Sequence, residues 1–126
     1  PDGIHWTKGN GGKSLTGLTG PEQLGPSVYF DGRKYLMLYQ TNLANQWTCF
    51  AATSDNGVDW TAAWGNKPVL GVPPEGNFDT AGVGRNHSVH PTKFIIAGNK
   101  VRLWYGGEDG SPPHFSRVGL MQIVLP

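Results

Sequence analysis

The sequence predicts an all-β fold made of four-stranded antiparallel meanders, the blades of a β-propeller, with about two blades in the chain. Three observations carry this. A turn followed by a tryptophan occurs twice: Gly3 and Trp6 return as Gly57 and Trp60, a constant shift of 54 positions, and recurrence at a period of tens of residues marks a repeat architecture. Nineteen glycines and ten prolines in 126 residues are too many for helices and suit short strands joined by turns. No stretch sustains a 3.6-residue apolar period, so helix should be scarce.

The elements follow in order. Around Ser54-Asp55-Asn56-Gly57-Val58-Asp59-Trp60, the glycine allows the positive φ of an Asx-type turn, and the tryptophan is large enough to plug a gap between units. Residues 8–25 are rich in Gly, Ser and Thr and read as a loop with room for a short edge strand. Residues 26–30 form a strand, Asp31-Gly32 a hairpin turn, residues 34–40 the return strand, residues 47–54 a third. Residues 67–70 read as a fourth strand, with Pro68 suited to an edge.

A second copy follows the loop 71–84. Asn86-His87-Ser88-Val89 matches Gly25-Pro26-Ser27-Val28 at a shift of 61, while Trp104-Tyr105 matches Leu38-Tyr39 at a shift of 66. This makes the second copy about five residues longer within its first hairpin. Residues 101–105 and 116–125 are its second and third strands. The organisation expected is a single unit, 1–126. Residues 1–20 complete a neighbouring blade, 21–71 form the first blade, and 72–126 form a second blade without its last strand.

Composition excludes several function classes. The net charge of +1 gives no electrostatic argument for nucleic acid or anionic lipid. The most apolar run, 118–125, is interrupted by Gly119 and Gln122 and is too short to cross a bilayer, so the chain reads as soluble. A single cysteine, Cys49, rules out an internal disulfide framework and leaves the compartment open. No signal-peptide pattern opens the chain. Pro1 reads as a start inside a longer protein or as a trimmed one.

The order Pro-Ser-Val, Asp-Gly hairpin, Lys-Tyr-Leu-Met-Leu-Tyr, Ala-Thr-Ser-Asp-x-Gly-x-x-Trp resembles the five-bladed propeller glycosidases: the arabinanase, xylosidase, invertase and levansucrase relatives and the mannoside phosphorylases. The resemblance spans residues 20 to 125. It implies a hydrolase whose site lies at the mouth of a central channel lined by the first strand of each blade. It also implies an Asp before a Pro-Ser-like step and a Glu before Gly-Pro. Here the first slot holds Gly25 in one blade and Asn86 in the other, and the Glu slot is Leu24. Glycoside hydrolysis needs two carboxylates, so ancestry is implied more firmly than activity.

Two blades do not make a ring, since propellers have four to eight. The expectation is a head-to-tail homo-oligomer, with a six-bladed homotrimer preferred. The alternative is a piece of a longer glycosidase.

The candidate site residues cluster before the two channel strands. His87 could act as acid/base or, with His90, bind a divalent metal such as zinc. Three copies of His87 around an axis would leave an open position for water and support ester or phosphoester hydrolysis. The competing reading is that both histidines are satisfied polar residues of a Pro-interrupted strand. Their i, i+3 spacing puts them on opposite faces unless a bulge near Pro91 intervenes. Glu22 and Asp79 are the nearest acidic residues, as general acid or base or as turn caps. Arg85 and Asn86 could orient a sugar or small-molecule substrate, with Trp47, Trp64 and Tyr39 as stacking platforms. Trp6 and Trp60 read as packing residues. Glu108-Asp109 lacks the spaced ligands of a calcium loop. Three functions follow: the channel hydrolase, possible with or without metal; a glycoside hydrolase acting on a small oligosaccharide; and a non-catalytic carbohydrate-binding propeller.

Overall fold

The computed structural model describes residues 3–43, 46–70, 88–108 and 116–125. Among these the fold is all-β. The strands are β1 (Gln23–Phe30), β2 (Tyr35–Leu43), β3 (Gln46–Ser54), β4 (Thr61–Ala62), β5 (Ser88–Ala97), β6 (Lys100–Glu108) and β7 (Ser116–Val124), with 3₁₀ turns at Gly9–Gly12 and Trp64–Asn66. β1-β2-β3-β4 and β5-β6-β7 are two antiparallel meanders, joined edge to edge by one parallel bridge, Trp47 to Ser88. They are two propeller blades, the second three-stranded among the described residues.

Local chemistry explains the turns. Asp31 Oδ1 accepts hydrogen bonds from the Arg33 and Lys34 backbone N–H groups at 2.7 Å each, and Gly32 takes φ 97°. After β3, Ser54 Oγ accepts from the N–H groups of Asn56 and Gly57. Asn56 Oδ1 accepts from those of Val58 and Asp59 at 2.9 Å. Side-chain oxygens thus satisfy the backbone of the turn. Gly57 has φ 75°, and Trp60 folds back so that its indole N–H donates to the Gly57 carbonyl at 3.2 Å.

Alternation along the strands builds two cores. Leu38, Cys49 and Ala51 face the second blade and meet Phe94, Val101, Leu103 and Tyr105, with Leu70 closing the cluster. Met37, Tyr39, Phe50, Ala52 and Trp60 form the opposite face of the first blade, against which Leu18 and Tyr35 pack. The N-terminal segment reaches this face. Thr16 bridges Asp59, the Thr16 hydroxyl donates to Asp59 Oδ1 at 3.0 Å, and the Trp60 N–H donates to the Thr16 carbonyl.

Two expectations need correction. Residues 67–70 are not a continuous fourth strand. The outer edge of β3 is covered in two pieces: Thr61–Ala62 pair with Thr53 and Ala52, and after the 3₁₀ turn Leu70 bridges Cys49. Trp64, Gly65 and Asn66 all take positive φ, which interrupts the pairing. Nor is the second hairpin longer. Phe30 pairs with Tyr35 and Ile96 with Val101, so both strands of the hairpin shift by 66. The counterpart of Ser27-Val28 is Lys93-Phe94, because pairing propagates outward from the turn. The Ser-Val match at Ser88-Val89 is a coincidence of letters.

Candidate functional site

The antiparallel order puts the starts of β1, β3 and β5 at one end of the molecule. Gln23 pairs with Thr41, and Thr41 with Thr48. Next along β3, Trp47 bridges Ser88 at the start of β5. Three of the residues singled out in the sequence therefore share this end. Glu22 lies one position before β1 and is exposed, Trp47 opens β3 and is half-buried, and His90 is half-buried on β5.

Both first strands carry an irregularity here. Register slips between Leu24 and Ser27 on β1 and between Pro91 and Lys93 on β5, with Gly25 at φ 54°. The two bulges face each other: a Cβ built on Gly25 would lie 4.0 Å from the Pro91 carbonyl oxygen. Bulges re-aim side chains at the rims of sheets, and one near Pro91 was the condition under which His90 could turn toward its neighbours. Thr92, the extra residue, donates its hydroxyl to the Trp104 carbonyl at 2.8 Å.

With the constant shift of 66, Leu24 and Gly25 correspond to His90 and Pro91. Neither blade places a carboxylate in these two slots. Glu22 lies two positions before Leu24, and Glu108 pairs with Ser88, two positions before His90.

Tyr39 is withdrawn from the list of sugar platforms. It is 1% exposed, its ring packs 6.4 Å from that of Phe50, and its hydroxyl accepts the Thr19 N–H at 2.7 Å. Asp79, Arg85, Asn86 and His87 lie outside the described residues. Among the described residues no three His, Cys, Asp or Glu side chains gather closely enough to hold a metal ion. Burial pushes the Cys49 thiol up to about 12, which leaves it protonated and unreactive at neutral pH.

An open groove of about 300 Å³ between Trp64, Pro68, Val69, Ile123 and Val124 lies at the other end of β7, away from the candidate site. The residues that line it are apolar types, and it is a seam between the outer parts of the blades. Sequence reasoning missed the Gly25–Pro91 approach; Pro26 and Pro91 near the starts of both first strands were the available signal, since proline within a sheet is confined to edges and bulges.

No protein-family model matches the sequence, and no curated protein matches it. Among solved structures, one described as a glycoside hydrolase is similar, with a TM-score of 0.51 and 21% identity over 78% of this chain. The chain spans 31% of that structure's length. The likeness is one of fold, a glycosidase-like all-β architecture. No helix among the described residues is long and apolar enough to cross a membrane.

Proposed function

We propose that this chain forms part of a glycosidase-type propeller that hydrolyses a short oligosaccharide at the end where β1, β3 and β5 begin. The observation that supports this is the convergence of Glu22, Trp47 and His90 at that end, on a fold similar to that of a glycoside hydrolase. Trp47 offers an aromatic face for a sugar ring. Glu22 supplies one carboxylate of the pair that glycoside hydrolysis requires, and Asp79 is the candidate for the other.

Turnover of a panel of aryl glycosides and short oligosaccharides tests the proposal. Glu22→Gln should lower kcat by a factor of about 10²–10⁴, the range for loss of a general acid or base, with the fold unchanged. Equal turnover by wild type and Glu22→Gln would refute the role of Glu22.

The carbohydrate-binding reading is favoured by one observation: Leu24 and Gly25 in the first blade and His90 and Pro91 in the second leave the motif slots without carboxylates. Saturable glycan binding with no turnover of any substrate would establish it. Metal-dependent ester hydrolysis through His87 and His90 needs several copies to converge on one ion, and it predicts activity lost on chelation and restored by zinc.

A further inference from the structure

The conformation of residues 57–67 is repeated in residues 3–13. Gly3 and Gly57 have φ 71° and 75°. The Trp6 indole donates to the Gly3 carbonyl at 3.1 Å, as Trp60 donates to Gly57 at 3.2 Å. Four residues beyond each tryptophan come three consecutive positive φ angles: 48°, 60° and 76° at Asn10, Gly11 and Gly12, and 51°, 68° and 56° at Trp64, Gly65 and Asn66. Each run ends in an extended lysine, Lys13 or Lys67. Every correspondence keeps the shift of 54.

The surroundings differ. The unit that starts at Gly57 covers the outer edge of β3. Thr61–Ala62 pair with it, the Ala63 N–H donates to the Ala51 carbonyl and the Val69 N–H to the Cys49 carbonyl, and Trp60 is 5% exposed. In the unit that starts at Gly3, Trp6 is 85% exposed, Ile4 76% and Leu15 38%. Among the described residues, no named strand pairs with this edge-covering unit.

The chain also has an edge of the matching kind. Phe50 pairs with Tyr39 as Gly119 pairs with Tyr105, so β7 is the counterpart of β3, displaced by 69. Cys49 and Ala51 correspond to Val118 and Leu120, which are 74% and 60% exposed. Among the described residues β7 pairs with β6 alone.

We propose that residues 3–15 of one copy add to the outer edge of β7 in a second copy, as residues 57–69 add to β3 within the chain. The register follows from the two shifts. Thr7 lies opposite Gln122 and Lys8 opposite Met121; the Gly9 N–H donates to the Leu120 carbonyl and the Leu15 N–H to the Val118 carbonyl. An exposed edge with unpaired backbone groups is a template for such addition.

The test uses the intact chain, Trp6→Ala, a deletion of residues 3–12, and the double variant Thr7→Cys/Gln122→Cys. Expected are a native mass that is a multiple of 13.6 kDa, an interchain disulfide in the double variant, and loss of assembly in the deletion. Trp6→Ala, a surface change that spares the fold, should weaken assembly at least about tenfold, as for a tryptophan hot spot. A single-chain mass at tens of micromolar, a disulfide closed within one chain, or an assembly that survives the deletion would each overturn the proposal.

Discussion

Trp60→Ala and Trp6→Ala remove the same side chain from the same turn, and the structure assigns them very different costs. Trp60 is 5% exposed, packs edge-on to Tyr35 with centroids 6.4 Å apart, and belongs to the cluster of Met37, Tyr39, Phe50 and Ala52. Truncating a buried tryptophan to alanine costs about 3–5 kcal/mol, of which the aromatic pair contributes about 0.5–1.5 kcal/mol. For a chain of this length that corresponds to a fall in Tm of roughly 10–25 °C, a large share of the stability of about 5–15 kcal/mol usual for a domain. Trp6 is 85% exposed, so in the dissociated chain Trp6→Ala should stay within about 0.5 kcal/mol of wild type, as surface changes do. Urea unfolding followed by far-UV circular dichroism, at a concentration where chains are single, measures both. A cost below about 1 kcal/mol for Trp60→Ala, or equal costs for the two variants, would refute the assignment of Trp60 to the core and of Trp6 to an unoccupied copy of the same unit.

Other perturbations have outcomes set by the structure. A Cβ at Gly119 would lie 2.5 Å from the ring of Tyr105, itself 9% exposed, so Gly119→Ala should destabilise by about 1–3 kcal/mol through overpacking, read as a lower urea midpoint. Gly17 has φ 76° and its Cβ would fall on the Trp60 carbonyl; Gly17→Ala should detach the N-terminal segment, seen as faster amide exchange at Trp60. The Cys49 thiol is pushed from 9.0 up to about 12 by burial. Its folded pKa is raised, so its contribution is intact below pH 9 and is lost as pH rises toward 12; Cys49→Ala should flatten that part of the urea midpoint against pH. Asp31 is held below the ordinary carboxylate range by the backbone N–H groups of Lys34 and then Arg33. Its contribution is present above pH 3.8 and lost as pH falls through the lowered value, so Asp31→Ala should remove an acid-side step in the same titration.

The turns of this fold were the most legible part of its sequence. Gly57 with Trp60 and Asp31 with Gly32 are local chemistry, and local chemistry reads directly from residue types. Strands β2, β3, β6 and β7 fell within a few residues of their expected positions. The fourth strand did not, because Trp64 and Asn66 adopt positive φ, a state that nothing in a tryptophan announces. For the same reason the likeness of Asn10-Gly11-Gly12 to Trp64-Gly65-Asn66 was hidden: only the central glycine is shared. The alignment of Ser27-Val28 with Ser88-Val89 failed because register is set by pairing from the hairpin outward. Tyr39 was misjudged because β2 is buried along both faces from Met37 to Thr41, which erases the alternation that would have marked its ring as core. At the candidate site, sequence order brought out Glu22, Trp47 and His90 singly. Their shared end of the sheet depends on the Trp47–Ser88 bridge, a contact between residues 41 positions apart in sequence.

Amide hydrogen exchange at Gly9 and Leu15 tests the central claim most directly. Val118 and Leu120 correspond to Cys49 and Ala51, whose carbonyls accept bonds from Val69 and Ala63 across the outer edge of β3. The account predicts that the amides of Gly9 and Leu15, which donate to the Leu120 and Val118 carbonyls, are protected in the concentrated intact protein and exchange freely on dilution. Protection of these two amides that does not change with concentration, or is absent at every concentration, would contradict it.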